Sequence, residues 1–159
     1  MSASPLRFET RAIREQEGLS QELSVEPALL APEGAGEARL TGPVSARVEF
    51  SIGGNRLLVQ ASFAGVWRLP CGRCLAAAEA PFSCEFEETY PASDEVIDLT
   101  EDARQAVLLE LPQRALCKDA CRGLCPSCGK NLNEGACKCA PANASPFAVL
   151  KSLKKPKEN

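Results

Sequence analysis

Six cysteines within the twenty-three residues Cys117–Cys139, spaced C-x3-C-x3-C-x2-C-x8-C-x-C, constrain this chain more than any other feature. Thiols that merely fill a core are not packed this densely, so the stretch CKDACRGLCPSCGKNLNEGACKC calls for something that binds it. Its sharpest piece, Cys125-Pro126-Ser127-Cys128-Gly129, reads as a zinc knuckle. A tight turn puts two thiolates on one side, aims backbone N–H groups at the sulfurs, and needs a positive φ at the glycine after the second cysteine. Cys137 and Cys139, after the loop Asn131-Leu132-Asn133-Glu134-Gly135, close this set of four. We expect Cys71 and Cys74, in Cys71-Gly72-Arg73-Cys74, to join Cys117 and Cys121 in a second set, giving two structural Zn2+ ions per chain.

The alternative use of nine cysteines is a disulfide framework, which belongs to exported proteins. The first twenty residues interleave Arg7, Glu9, Arg11, Arg14, Glu15 and Glu17, and they leave no apolar stretch for a secretory signal. No run approaches the roughly 20 apolar residues of a spanning helix. The expected setting is cytoplasmic, where paired cysteines bind metal or run redox chemistry. There is no histidine, which removes histidine triads, imidazole proton shuttles and any metal site that needs imidazole.

Charge is divided along the chain. Residues 1–102 hold 8 basic and 17 acidic side chains, and residues 103–159 hold 10 basic and 4 acidic. Four thiolates around a dication leave two negative charges, so two such sites would carry the protein from its formal −3 toward −7. Lys118, Arg122, Lys130 and Lys138 therefore have two readings, neutralising thiolates or contacting nucleic acid.

The remaining elements follow from periodicity. Leu6, Phe8 and the Ala12/Ile13 region suggest a short strand, with a loop through Pro27, Pro32, Gly34 and Gly36. Val44, Ala46, Val48, Phe50 and Ile52 alternate with polar residues, as do Leu57, Val59, Ala61 and Phe63; around Gly53-Gly54-Asn55 they form a hairpin over 44–64. A further strand over Val66–Leu69 runs into the first CxxC. An alanine-rich turn follows, then a strand bearing Phe82, Cys84 and Phe86, which makes Cys84 a buried structural thiol. The acidic run Glu85–Asp102 reads as a solvated loop or an acidic partner surface. Thr100 is expected to cap a helix to about residue 111 with Ala103, Ala106, Val107, Leu108 and Leu111 on its apolar side and Pro112 behind it. Ser145-Pro146 opens a short final helix with Phe147, Leu150 and Leu153 at helical spacing. The expected class is α+β: an antiparallel β-rich body, barrel- or sandwich-like, over 1–116 with one packed helix, a cysteine-rich segment over 117–140, and a basic tail over 141–159.

Four ordered blocks, LPCGRCL at 69–75, IDLTEDARQAVLLELP at 97–112, LCKDACRGLCPSCGKNLNEGACKC at 116–139 and SPFAVLKSLKK at 145–155, resemble the YceD family of large ribosomal RNA subunit accumulation proteins. The resemblance implies a bacterial cytoplasmic protein, with plastid relatives, that is needed for large-subunit ribosomal RNA to accumulate, and it carries over no catalytic residue. The residues agree, because nothing in the chain makes a nucleophile with a partner base or a phosphate-binding glycine loop. The expected partner is large-subunit ribosomal RNA, its assembly particle or a ribosomal protein, with Arg122, Lys130, Lys138, Phe147, Leu150, Lys151, Lys154 and Lys155 as contact residues. No membrane and no small-molecule substrate are expected. With one tryptophan and one tyrosine beside six phenylalanines, base stacking has little to work with, which favours recognition of shape and charge. The other class of function is a thiol redox or metal-responsive protein using Cys71 and Cys74. A catalytic zinc is disfavoured because four thiolates leave no open coordination position.

Overall fold

Alternation of apolar and polar side chains organises the fold. A computed structural model describes residues 4–31 and 36–139 of the chain. Their order is β1 (Arg7–Glu9), α1 (Thr10–Glu15), β2 (Leu19–Val25), α2 (Pro27–Leu30), β3 (Arg39–Leu40), β4 (Val44–Gly53), β5 (Arg56–Pro70), β6 (Ala77–Pro91), β7 (Val96–Asp98) and α3 (Thr100–Leu109). β5 is the axis. It pairs antiparallel with β6 along its whole fifteen residues, and with β4 and then β3 in succession, while β2 lies outside β4. β1 and β7 form a separate antiparallel pair.

Ala46, Val48 and Phe50 of β4 stand beside Phe63, Ala61 and Val59 of β5 on the buried side of the sheet, with Val44 on that side too, as the alternation requires. Gly54, at φ +62, starts the two-residue turn between these strands, a conformation open to glycine without penalty. Leu6, Phe8, Ile13, Leu30, Ile97, Leu99, Ala103 and Val107 cover this face from the layer of β1, β7 and the helices. The ring centroids of Phe8 and Phe50 are 4.8 Å apart across that junction. The result is the expected α+β class, built on antiparallel sheets.

Several elements differ from the sequence expectation. Ala12 and Ile13 lie in a helix, with Ile13 fully buried; β2, which the sequence did not suggest, follows, and the loop expected from Pro27 opens with α2. The hairpin strand ending near 64 and the strand at 66–69 are one strand, because β6 keeps it extended through Gly65. The alanine-rich stretch after Leu75 belongs to β6 from Ala77 onward. Glu85, Glu87 and Glu88 are also in β6, so the acidic run crosses a strand end, β7 and the first turn of α3 and is not a single loop. Thr100 is the first helical residue and not the cap; the Asp98 carboxylate accepts its N–H at 3.0 Å and takes over the capping role. α3 ends at Leu109, and Leu108 and Leu109 are exposed. It packs beside α2 and β6, where Arg104 Nε donates to the Leu29 carbonyl and the Tyr90 hydroxyl donates to Asp102. Burial first, then that carboxylate, pushes the Tyr90 phenol above its ordinary range. Cys84 sits in the core beside Phe63 and Phe82, and burial raises its thiol to about 11.

No helix among the described residues is long and apolar enough to cross a membrane. The expected helix beginning at Ser145-Pro146, with Phe147, Leu150, Lys151, Lys154 and Lys155, lies outside the described residues.

Candidate metal centres

The connection between β5 and β6 is Cys71–Ala76, so the first CxxC is itself the turn of the longest hairpin among the described residues. The Cys71 N–H donates to the Ala76 carbonyl at 2.7 Å, and the Leu75 N–H donates back to the Cys71 carbonyl at 3.0 Å. Cys125–Lys130 repeats this pattern: the Cys125 N–H donates to the Lys130 carbonyl at 2.8 Å and the Gly129 N–H to the Cys125 carbonyl at 2.9 Å. Gly129 has φ +71, as expected of a knuckle, and Leu75 occupies the equivalent position at φ +62. Leucine tolerates that region poorly. Its side chain is 67% exposed, so little packing compensates.

These turns assemble two sets of four sulfurs. Cys71, Cys74, Cys117 and Cys121 form one and Cys125, Cys128, Cys137 and Cys139 the other, with all sulfurs of a set within 4.8 Å of one another. Individual separations are 3.8 Å for Cys71–Cys121, 3.5 Å for Cys74–Cys117 and 3.4 Å for Cys125–Cys137. A tetrahedron with metal–sulfur bonds of about 2.3 Å has edges of about 3.8 Å, and a disulfide would need about 2.05 Å. All nine cysteines are free thiols, and both sets have the geometry to hold a metal ion.

The first set joins distant parts of the chain. Cys71 pairs in a parallel bridge with Ala115, and the Gly72 N–H donates to the Ala115 carbonyl at 2.9 Å. Arg73 completes the junction: its carbonyl accepts the Leu124 N–H at 3.2 Å and its Nη1 donates to the Cys121 carbonyl at 3.0 Å. A Cβ on Gly123, at φ +74, would stand 3.2 Å from the Arg73 carbonyl oxygen, so glycine permits the close approach. Cys71, Cys74 and Cys121 are buried with Ala78 and Ala115 in a small core of their own. In the second set Cys125 is buried and Cys128 exposed.

Donors to sulfur are backbone and amide groups. The Arg73 N–H reaches Cys71 Sγ at 3.5 Å, and Asn133 Nδ2 reaches Cys121 Sγ at 3.3 Å while its Oδ1 accepts the Arg122 N–H. Backbone N–H groups, that of Arg73 first, lower the Cys71 thiol to about 6, and those of Cys128 and Ser127 do the same for Cys125. The Asn133 amide lowers Cys121. The neighbouring Cys74 thiol, then burial, drives Cys117 up to about 12, and Cys128 with burial does so for Cys139. Charging all four sulfurs at this spacing calls for a cation among them. None of Lys118, Arg122, Lys130 or Lys138 donates to a sulfur among the described residues; Lys130 Nζ donates to the Ala136 carbonyl instead. The Asn133 role was not anticipated, and its only sequence signal is the Asn131-x-Asn133 pair before Cys137.

Residues 90–154 match the family model described as Large ribosomal RNA subunit accumulation protein YceD. A protein of Zea mays named Large ribosomal RNA subunit accumulation protein YCED homolog 1, chloroplastic, is 39% identical over 65 residues, which are 40% of this chain and 22% of the relative. The protein of the same name in Arabidopsis thaliana is 40% identical over 50 residues, 31% of this chain and 16% of the relative. An uncharacterized protein of Mycobacterium tuberculosis is 35% identical over 79 residues, covering 39% of this chain and 38% of the relative. The chain therefore spans well under half the length of these relatives. No solved structure matches it. The matched region takes in α3 and all six cysteines from Cys117 to Cys139 but not the Cys71–Cys74 turn. Through residues 90–154 the resemblance read from the sequence is met by the family model, and over that region the chain is YceD-like.

Proposed function

We propose that this protein is a non-catalytic assembly factor that promotes accumulation of large-subunit ribosomal RNA, held in shape by two structural Zn2+ ions, and that it acts by binding precursor ribosomal RNA or a ribosomal protein on the assembling particle. The observation that carries the reading is that the region matching the YceD family model contains six of the eight cysteines of the two four-sulfur sets. Four thiolates at single-ion spacing suit Zn2+, and their closed coordination leaves no position for a substrate or a reactive water. When bound, such an ion supplies folding free energy and not chemistry. Partner contact is assigned to Arg122, Lys130 and Lys138 on the cysteine segment and to Phe147, Leu150, Lys151, Lys154 and Lys155 of the tail. The redox reading is weaker, because a reactive thiol must be accessible and Cys71 is fully buried between Cys121 and its own turn.

Depletion in cells tests the reading: large-subunit RNA should fall relative to small-subunit RNA. Equal loss of both would refute it.

A further inference from the structure

On the side of the sheet that faces solvent, Arg47 pairs with Glu49 at the centre and Glu85 and Glu87 stand beside them, while Arg39 and Arg68, with Glu37 and Glu79 near them, mark the end where β5 runs into the first knuckle. There Arg39 of β3 stands directly opposite Arg68 of β5. Like charges placed opposite each other in a ladder repel and destabilise it. Among the described residues no carboxylate lies within ion-pair distance of either guanidinium, although Glu79 is opposite Arg68 on β6 and Glu37 lies beside Arg39. Arg39 Nη1 is held by the Gly36 and Ala38 carbonyls, which fixes the group without neutralising it. Both arginines line an open groove of about 340 Å³ with Glu37, Leu69, Pro70 and the exposed Leu75 of the knuckle. Arg73, at the centre of the same turn, is exposed and ties the groove to the cysteine segment bearing Arg122.

We propose that this knuckle end of the sheet, centred on Arg39 and Arg68, is an RNA-binding surface that takes the phosphate backbone. Two neighbouring guanidinium groups, one held by backbone carbonyls and neither in ion-pair contact with a carboxylate among the described residues, offer the planar, forked donors that phosphate oxygens accept. The exposed Leu75 side chain in the same groove meets the apolar edge of a ribose or base. The absence of any exposed aromatic in the groove fits recognition of backbone and shape rather than base stacking. The surface deepens the assembly-factor reading and rests on it, since that reading supplies an RNA to bind.

The test uses the full-length, metal-loaded protein and a short mixed-sequence RNA duplex, with affinity measured across a salt series. Arg39→Gln/Arg68→Gln should weaken binding and lower the slope of log K against log salt by about 1.4–1.8, from 0.7–0.9 per lost phosphate contact. The charge-matched control Arg11→Gln/Arg47→Gln should leave the slope unchanged. Because the native pair repels, the Arg39/Arg68 variant should also unfold at the same temperature as the wild type or higher, with its metal content intact. Equal loss in the control would mean diffuse charge, and no loss in the Arg39/Arg68 variant would mean another surface; either overturns the proposal. So does failure of the wild type to bind the duplex. If the variant leaves assembling particles while its RNA slope is unchanged, the patch serves an acidic protein, and the RNA proposal falls. Failure of the assembly-factor reading is separate: it shows in the depletion experiment, where both ribosomal RNAs would fall together whatever the duplex measurement gives.

Discussion

Cys121→Ala isolates the set of sulfurs that fastens the cysteine segment to the sheet. Besides those sulfurs, three hydrogen bonds cross the junction among the described residues: Gly72 to Ala115, Leu124 to Arg73, and Arg73 to the Cys121 carbonyl. At about 1 kcal/mol net each they recover about 3 kcal/mol. Fixing the backbone of Cys121–Cys125 alone costs roughly 5–10 kcal/mol at 1–2 per residue, so the hydrogen bonds do not hold the segment without metal. A structural Zn2+ contributes on the order of 10 kcal/mol, which is enough to reverse that balance. We therefore expect Cys121→Ala to reduce bound metal from two ions to one, and to raise amide exchange across residues 115–124 toward that of free chain. The set around Cys125 should keep its ion, and the central amides of β4 and β5 should stay protected, because their core lies in a separate cluster. Metal stoichiometry and hydrogen exchange read by mass spectrometry test this. Retained protection across 115–124 with a single bound ion would refute the argument that metal, and not the hydrogen bonds, fastens the segment.

The sheet offers further tests. A Cβ at Gly65 would lie 2.9 Å from Phe82 Cε1 and 3.2 Å from Val44 Cγ2, so Gly65→Ala should cost about 1–3 kcal/mol by overpacking, seen as a lower midpoint in urea. Asp98→Ala removes the carboxylate that accepts the Thr100 N–H and should cost about 1 kcal/mol, measured in the same way. Cys84 carries a pH signature. Its thiol is raised to about 11 in the folded state from about 9 unfolded, so between these values the native form holds a proton that the unfolded form has lost. Stability due to Cys84 is therefore fully present below pH 9 and declines as pH rises toward 11. Cys84→Ala should flatten that decline relative to the wild type; an unchanged slope would show that the thiol is not the titrating group.

What the sequence made legible follows from which residues carry a periodic signal. Val44 through Phe50 and Leu57 through Phe63 alternate because one side of each strand is buried, and the structure keeps that register. β2 has no such signal, since as an edge strand it buries only Val25 fully, and the six residues of α1 are too few to show helical periodicity. Ala77–Ala80 read as a turn because alanine carries no strand preference, and they are extended only because β5 pairs with them. Asp98 and Thr100 are both capable caps two residues apart, and backbone geometry chose between them. The opposition of Arg39 and Arg68 was out of reach, since it depends on the register of a two-residue strand. The CxxC and CxC spacings are local and group Cys125, Cys128, Cys137 and Cys139 on sight. The approach of Cys71 and Cys74 to Cys117 and Cys121 depends instead on a parallel bridge between residues 44 positions apart.

The two four-sulfur sets are built alike and placed differently, and this fixes what each can govern. The turn at Cys125 closes on its own segment, through Leu124 paired with Asn131 and the Leu132 N–H on the Gly123 carbonyl, so disturbing it is a local event. The turn at Cys71 is the end of the β5–β6 hairpin, and its arginine is the bolt on which the segment seats. A metal held there would, on leaving, disturb the sheet end that carries Arg68 and, through Arg73, the position of Arg122. Leu75 of this turn is strained. A glycine at that position would relax the turn, as Gly129 does in the other knuckle, but it would remove the apolar side chain from the arginine groove. Of the two knuckle turns, only the one that borders the groove holds a side-chain-bearing residue at positive φ, at a cost of about 1–2 kcal/mol. The side chain kept there at that cost is one the fold itself scarcely uses.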